Sequence, residues 1–452
     1  MSRLFGTDGV RGEANSELKP ELAYRLGRAA AFYFGKFSEG KPKILIGRDT
    51  RISGEMLESA IITGICSAGG HAISVGVIPT PGVAHLVKKI HAVAGIVISA
   101  SHNPFYDNGI KFFGGDGYKL PDAVEDEISD IISQIERADN FPRPIGAKIG
   151  ELEYRKDLIK TYQDFVTSTT TERFDGMKIV LDCANGAAYD IMPKILKRLG
   201  AELILIGDNP NGININDDCG STHIENLRLE VLRNHADIGI AHDGDADRCL
   251  CIDEKGNLID GDHILIMCAK LMMDVGALNK NTIVTTVMAN IGFRQAVENL
   301  NGHYEITAVG DRYVLENMLK NGYNLGGEQS GHIIFTDYST TGDGLITALQ
   351  VLTAMKKSGK SASELNEMMT TFPQVLINVR VKDKKLSQES DEVKRAIFEG
   401  KEELGDTGRI LVRASGTEPL IRVMAEGPNK MQLDRICNKI AAEIEKVGIA
   451  SA

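Results

Sequence analysis

GIVISASHNPFYDNGIKFF, residues 95–113, begins as an apolar, β-branched run (Ile96, Val97, Ile98) and stops abruptly at small and polar residues that end in Pro104. Such a run reads as a buried strand, which leaves Ser101 on the loop that follows it. Pro104 cannot continue a ladder and pushes the residue before it out of helical geometry. Residues 99–103 are therefore expected to turn sharply and to hold the Ser101 hydroxyl outward. A serine presented in this way is a candidate nucleophile. His102 stands beside it and Lys111 follows the Asn108-Gly109 turn, and both are able to steady a phosphoryl group or move a proton. A Ser/Asn/Pro turn whose hydroxyl only caps the backbone has the same local sequence, so the remaining motifs have to decide between the two.

The chain has 452 residues, 42% of them apolar, and no tryptophan; this is too long for one ordinary core and implies three or four domains of a soluble, globular enzyme. A formal net charge of -11 gives no general attraction to nucleic acid or to an anionic membrane, so an anionic ligand has to be held by local arginines, lysines and backbone amides. Seven cysteines (Cys66, Cys183, Cys219, Cys249, Cys251, Cys268 and Cys437) are scattered without disulfide or zinc spacing, as in a reducing compartment. Cys249 and Cys251 lie in a strand-like run and read as small buried residues. The opening MSRLFGTDGVRG lacks an apolar signal core, and no apolar run approaches the roughly 18 residues of a membrane span. A cytoplasmic location is expected.

Residues 1–152 form a first α/β block. Apolar strands at 44–46, 72–77 and 96–98 alternate with helical stretches at 20–37 and 54–68, which implies βαβ units and a largely parallel sheet. Between them, GRDTR (47–51) and Pro79-Thr80-Pro81 read as connections, with Arg48 within reach of a phosphate. A charged segment, 152–167, reads as a helix separating this block from the next. The second block, 153–255, has a strand at 178–181 followed by Asp182, Asn185 and Gly186, and a strand-like 236–241 that runs into HDGDADR (242–248). The third block, 256–372, has a helix at 263–274 and a strand at 283–287. Its Ala289-Asn290-Ile291-Gly292 resembles Cys183-Ala184-Asn185-Gly186, which suggests variations on one α/β unit. The fourth, 373–452, has strands at 375–381, 409–412 and 420–425 and helices near 389–404 and 430–446, and reads as a separate α+β domain.

Chemistry concentrates in HDGDADR. Asp243, Asp245 and Asp247 alternate with Gly244 and Ala246, so on extended backbone the three carboxylates point the same way. Converging carboxylates need a cation, and hard oxygen ligands select Mg2+ or Ca2+, with open positions for a phosphoryl oxygen. An EF-hand counted from Asp243 to Glu254 fails because Arg248 stands where Gly is needed and both flanks read as strands; a solvated acidic turn is the bland alternative. Arg248 suits a ligand more anionic than a metal alone neutralises. In GGEQSGH (326–332), Glu328 and Ser330 are spaced to face one side of the chain and to bond adjacent sugar hydroxyls, while His332 is placed to shuttle a proton. In RASGTEPLIRV (413–423), Arg413 and Arg422 flank the Ser415-Gly416-Thr417 turn and form a metal-free phosphate cradle. Each of these motifs has an ordinary loop or hairpin as its alternative.

Taken in order, ISASHNP, HDGDADR, GGEQSGH and RASGTEP resemble the α-D-phosphohexomutase family, and the resemblance covers essentially the whole chain. Within it, RLFGTDGVRG, Gln329 and Gly416 resemble the branch that acts on glucosamine phosphates. The resemblance implies three related mixed α/β domains and a smaller C-terminal α+β domain around a central cleft. It makes Ser101 the phosphoserine nucleophile and Asp243, Asp245 and Asp247 the Mg2+ ligands, with a Ser101 phosphoryl oxygen as the metal's next contact. It gives Arg11, Lys111 and His332 to proton transfer and charge stabilisation, and Glu328 and Ser330 to the sugar. Arg413, Ser415, Gly416, Thr417 and Arg422 are given to the phosphate that is not transferred. A phosphosugar is the implied partner, with a bisphosphate as intermediate and activator; neither nucleic acid nor membrane is expected, and a homodimer is left open. A sister mutase for mannose or glucose phosphates, a metal-dependent phosphatase and an idle phosphosugar-binding protein remain the alternatives.

Overall fold

The structure is a computed structural model that describes residues 4–6, 8–381, 390–414 and 420–450. Its contacts divide the chain into two compact units, Met1–Met288 with Gly302–Met368, and Ala289–Asn301 with Met369–Ala452.

The first unit holds three sheets. β1 (Val10–Glu13), β2 (Lys43–Arg48), β3 (His71–Val77), β4 (Ala94–Ile98), β5 (Asp107–Gly114) and β6 (Glu151–Tyr154) lie in the order β1-β5-β4-β2-β3-β6. β7 (Lys178–Asp182), β8 (Glu202–Ile206), β9 (Ile238–Ala241), β10 (Leu250–Asp253) and β11 (Leu258–Ile259) form the second, in the order β11-β10-β9-β7-β8. β12 (Thr282–Thr286), β13 (His303–Thr307), β14 (Leu325–Gly327) and β15 (Ile333–Phe335) form the third, ordered β13-β12-β14-β15. β4 (Ala94–Ile98) and β9 (Ile238–Ala241) are apolar and buried at every position. Such continuous runs are what a parallel sheet covered on both faces requires.

One pattern recurs in all three. β5-β4-β2-β3, β10-β9-β7-β8 and β15-β14-β12-β13 are the same four-strand order, each with three parallel strands and an antiparallel strand at one side. The faint likeness between residues 183–186 and 289–292 thus marks a real repeat: both segments follow the central strand, β7 and β12. The repeat also puts residues 99–106, 242–249 and 328–332 in one topological place, the link from a parallel strand to its antiparallel neighbour.

Three local expectations are corrected. Asn108-Gly109 is not a turn: both residues lie inside β5, opposite Gly12 and Arg11 of β1. Residues 152–154 belong to a strand, β6, paired in parallel with β3, and the helix begins only at Asp157. β6 is an edge strand with mostly exposed side chains, so main-chain hydrogen bonds hold it without an apolar pattern to announce it. Arg48 is not directed to a ligand: it is bound by Glu55 at 2.7 Å and Glu58 at 3.0 Å.

In the second unit, β16 (Gln374–Arg380), β17 (Arg409–Ala414) and β18 (Leu420–Glu426) make an antiparallel sheet in the order β16-β18-β17. Helices Asp391–Leu404 and Lys430–Ala450 cover it, and Val379, Val393, Ile421, Val423, Leu433 and Ile440 fill the core between. Helix Ile291–Asn299 groups with this unit, where the Asn290 side chain both donates to and accepts from the Phe372 backbone at 3.0 Å.

Candidate active site

Ser101 lies on the first of the three repeated loops. Ser99 Oγ accepts the Ser101 N–H at 2.9 Å, the Asn103 N–H returns to the Ala100 carbonyl at 3.1 Å, and Ser101 adopts φ 52°. A non-glycine residue in this left-handed region is held there at a cost of about 1–2 kcal/mol by its surroundings. The clamp is visible: the Ser101 carbonyl accepts from Arg51 Nη2 at 3.1 Å and Asn216 Nδ2 at 2.9 Å, and both donors also bond the Asn103 carbonyl. Arg51 is fully buried and paired with Asp49. The GRDTR segment is therefore more than a connection, since its last arginine shapes the serine loop. The expected outward hydroxyl is corrected as well. Ser101 is only 3% exposed, and its Oγ donates to Asp243 Oδ2 at 2.6 Å. His102 is half-buried, and burial, with Arg248 and Arg11 nearby, pulls its pKa down to about 4.

The metal loop reaches convergence by a different geometry from the one its alternation suggests. Residues 243–246 form a turn, with the Ala246 N–H on the Asp243 carbonyl at 3.0 Å and Ala246 at φ 56°. The turn, and not extended backbone, brings one oxygen of each of Asp243, Asp245 and Asp247 within 4.8 Å of the others. Its flanks are β9 and β10, which removes the EF-hand reading. Gly244 is required by close approach: a Cβ there would stand 2.6 Å from the Ser101 carbonyl oxygen.

The electrostatics of this cluster fit a divalent cation. Burial and the crowding of like charges from Asp247 and Asp245 push Asp243 well above the usual carboxylate range, and burial with Asp245 raises Asp247. Burial works against Asp245 too, yet Lys111 and the Thr80 hydroxyl hold it below its ordinary value. Asp245 Oδ2 accepts from Thr80 at 2.6 Å and Lys111 at 3.0 Å, whereas Oδ1 of Asp245 and Oδ1 of Asp247 are buried without a hydrogen-bond partner. Orphaned, hard carboxylate oxygens at this spacing fit a hard divalent cation. Arg248 Nε lies 4.0 Å from both Asp243 and Asp247, beside the carboxylates and not hydrogen-bonded to them.

The repeat delivers the remaining groups. Lys111 is opposite Val97 on β5, is 2% exposed, and pairs with Asp8 and Asp245 at 3.0 Å each; those carboxylates outweigh burial and keep its ammonium protonated. Arg11 stands opposite Gly109 on β1 and pairs with Asp8. On the third loop His332 Nε2 lies 3.9 Å from Asp247 and 3.8 Å from Asp311. Glu328 and Ser330 sit on a tight turn closed by the Gly331 N–H on the Glu328 carbonyl at 3.0 Å. Glu328 Oε1 accepts the Gly310 N–H at 3.1 Å, while Ser330 Oγ is buried with no partner. Gln329 turns away from this pair and donates to Asp260 at 3.0 Å. Asp260 in turn caps the helix Gly261–Asp274, and a Cβ on Gly261 would stand 2.0 Å from the Glu328 carbonyl oxygen. Ser101, the three aspartates, Lys111, His332, Arg11 and Arg248 are thus gathered in the first unit, with Asp8, Asp311, Arg51, Asn216 and Thr80 added by the structure.

The second unit places Arg413 on β17 directly opposite Arg422 on β18. Burial and the Arg422 charge lower the Arg413 pKa. Like charges facing across a ladder are unfavourable, which is the arrangement an anion relieves. Ser415, Gly416 and Thr417 lie outside the described residues.

Comparison with known proteins agrees with this architecture block by block. Family models for phosphoglucomutase/phosphomannomutase match in four parts: alpha/beta/alpha domain I over residues 2–139, domain II over 157–256, domain III over 260–372 and the C-terminal domain over 376–443. The chain belongs to the phosphoglucomutase/phosphomannomutase family. Within it, a phosphoglucosamine mutase of Brevibacillus brevis is 53% identical over 447 residues, covering 99% of both chains. A phosphoglucosamine mutase of Clostridium tetani is 52% identical over 448 residues, again covering 99% of each. Among solved structures, a family protein of Burkholderia thailandensis superposes with a TM-score of 0.82 at 23% identity, covering 99% of this chain and 98% of that one. An Aspergillus fumigatus N-acetylphosphoglucosamine mutase in complex with GlcNAc-6P and magnesium reaches 0.71 at 18% identity, covering 98% of this chain and 96% of that one. At these identities the two structures speak for the fold.

Proposed function

We propose that the chain interconverts glucosamine 6-phosphate and glucosamine 1-phosphate, as a phosphoserine enzyme working through glucosamine 1,6-bisphosphate. The observation that carries this reading is the buried hydrogen bond of Ser101 Oγ to Asp243, beside two partnerless carboxylate oxygens and the Lys111 amine 3.0 Å from Asp245. Phosphoryl transfer is largely positioning and charge neutralisation, and these groups supply both. Phosphorylated Ser101 gives its group to the C1 hydroxyl of the 6-phosphate: the P–Oγ bond breaks, a P–O1 bond forms, and the hydroxyl proton passes to His332. Lys111, held charged between two carboxylates, stabilises the serine oxygen as it is released and returns a proton to it; Arg11 and Arg248 balance the remaining phosphoryl charge. The bisphosphate then reverses end for end, and Ser101 recovers a phosphoryl group from C6. The same bisphosphate phosphorylates a resting chain and so acts as activator.

Asp243, Asp245 and Asp247, with phosphorylated Ser101, would hold one Mg2+ per chain, which when bound neutralises charge on the phosphoryl oxygens. Glu328 and the partnerless Ser330 hydroxyl bond the sugar hydroxyls. Arg413, Ser415, Gly416, Thr417 and Arg422 bind the phosphate that is not transferred, a second anion site that a phosphatase would not need. We divide these tasks among domains 1–152, 153–255, 256–372 and 373–452. A cytoplasmic setting agrees with seven free cysteines. Among the described residues no helix is long and apolar enough to cross a membrane.

The test is a coupled assay of purified protein with Mg2+ and a trace of sugar bisphosphate, comparing glucosamine, glucose and mannose phosphates. Glucosamine phosphates are expected to have the highest kcat/KM. Preference for another hexose would reassign the substrate, and release of inorganic phosphate in place of isomerisation would make the chain a phosphatase.

A further inference from the structure

A chain of neighbouring acidic and basic side chains runs from Asp245 to Asp247 of the aspartate loop. Asp245 pairs with Lys111 at 3.0 Å, Lys111 with Asp8 at 3.0 Å, Asp8 with Lys119 at 2.7 Å and Lys119 with Asp311 at 2.8 Å; Asp311 is 3.8 Å from His332, which is 3.9 Å from Asp247. This series passes from the second block through the first and the third and back again. Lys119 is its only crossing between the first block and the third.

The backbone around Lys119 is fixed on both sides of that crossing. Lys119 bridges Phe113 across a turn in which the Gly114 N–H bonds the Tyr118 carbonyl at 2.8 Å. Thr340 of the third block donates to the Gly117 carbonyl at 2.5 Å, and Arg312 donates to Asp122 at 2.6 Å. The ammonium is thus carried on a stitched seam and not on a loose loop. Burial opposes its charge, but Asp311 and Asp8 outweigh burial and keep it protonated. Asp8 also works to raise the Asp311 pKa, so removing the shared cation leaves two carboxylates in repulsion at the seam.

We propose that Lys119 is a positioning residue of the transfer site, holding Asp8 and Asp311 together so that Lys111 and His332 stay set against Asp245 and Asp247. This rests on the mutase reading. Lys119 acts through its two carboxylates and not on the sugar, so its loss degrades alignment more than substrate affinity. Displacement of transfer groups by as little as 1 Å costs about 100-fold in rate.

The experiment measures kcat and KM for glucosamine 6-phosphate in wild type, Lys119→Gln, Lys119→Arg, Asp311→Asn and the Lys119→Gln/Asp311→Asn double variant, with Tm recorded for each. Lys119→Gln is expected to lower kcat by about 10- to 100-fold with KM changed by no more than about threefold. Lys119→Arg should restore most of the rate, because a guanidinium can bridge the same two carboxylates. The double variant should be no slower than the slower single variant, as expected for residues acting as one unit. Unchanged kcat in Lys119→Gln overturns the proposal, and so does a rise in KM alone, which would put Lys119 on the substrate. If Lys119→Gln melts below the assay temperature, Asp311→Asn and Lys119→Arg carry the test: Asp311→Asn must lose kcat at constant KM while Lys119→Arg keeps it, and the opposite pattern refutes the proposal. A wild-type chain that does not interconvert the phosphosugars defeats the functional reading instead, which keeps the two failures apart.

Discussion

The loop from β4 to β5 and the loop from β9 to β10 occupy the same place in sister sheets, yet one presents a hydroxyl and the other three carboxylates. Each contains one non-glycine residue at positive φ, Ser101 at 52° and Ala246 at 56°. In the first loop the strained residue is itself the proposed nucleophile, and Arg51 and Asn216 clamp its carbonyl. In the second the strained residue is a spacer, and the reactive groups lie to either side of it. The scaffold therefore dictates where a turn falls but not which atom it offers. The two turns also lean on each other, since Gly244 has no room for a Cβ against the Ser101 carbonyl. If the first loop supplies the nucleophile and the second the metal ligands, as proposed, the two are expected to fail in different manners, which makes the contrast open to experiment.

The largest effect is expected from the first loop. Ser101→Ala should cut turnover by more than about 10^4-fold while substrate still binds, because no other group takes over a covalent nucleophile. Kinetics together with a binding isotherm check both halves of the statement, and near-normal turnover would remove Ser101 from the mechanism. The second loop should fail more gradually. Asp245→Asn is expected to lower activity by about 100-fold and to raise the Mg2+ concentration needed for half-maximal rate. Ca2+ should bind but support little turnover, because its looser coordination aligns the phosphoryl group poorly. Activity that survives a strong chelator would contradict the assignment of the carboxylates to a metal.

Both loops lie in the first unit, and the facing arginines of the second unit sharpen the contrast between reacting and holding. A charge-assisted contact to phosphate is worth roughly 1.5–3 kcal/mol, so Arg413→Ala should cost about 10- to 100-fold in kcat/KM and harm both parameters. Trapping experiments should also detect more free bisphosphate escaping before it is reversed. Unchanged bisphosphate release with near wild-type kcat/KM would leave Arg413 as an ordinary hairpin arginine. The smallest effect is expected at the clamp. Asn216→Ala loses two hydrogen bonds to the serine loop and should lower stability by about 1–2 kcal/mol and kcat several-fold with metal affinity unchanged. A denaturant titration and a Mg2+ titration on one sample separate those readings.

What was legible in the sequence follows a simple physical line. Ser101, the alternating aspartates, Glu328 with Ser330 and His332, and Arg413 with Arg422 stand in short motifs because each set shares one turn or one hairpin. The apolar strands 44–46, 72–77, 96–98, 178–181 and 283–287 were legible for the same local reason, whereas β1, β5, β13 and β14 carry no such run and were not read, and β8 was missed as well. Groups that act through the fold left no such mark. Asp8 meets Lys119 across 111 residues of chain, Lys119 meets Asp311 across 192, and Asn216 reaches Ser101 across 115. GRDTR reads as a connection because the use of Arg51 appears only when the serine loop folds onto it. Alternation in HDGDADR anticipates the convergence of the three carboxylates but through the wrong backbone: they converge because the chain turns at Ala246. The edge strand Glu151–Tyr154 was missed since its side chains are mostly exposed and leave no apolar pattern.

The central claim is that Ser101 carries the transferred phosphoryl group. It is tested most directly by incubating the protein with Mg2+ and glucosamine 1,6-bisphosphate labelled in its phosphates, locating the label by peptide mass analysis, and then adding unlabelled glucosamine 6-phosphate. The account predicts that the label resides on Ser101 alone and that the added sugar phosphate chases it into bisphosphate and glucosamine 1-phosphate. Label on another residue, or label on Ser101 that leaves only as inorganic phosphate, would contradict it.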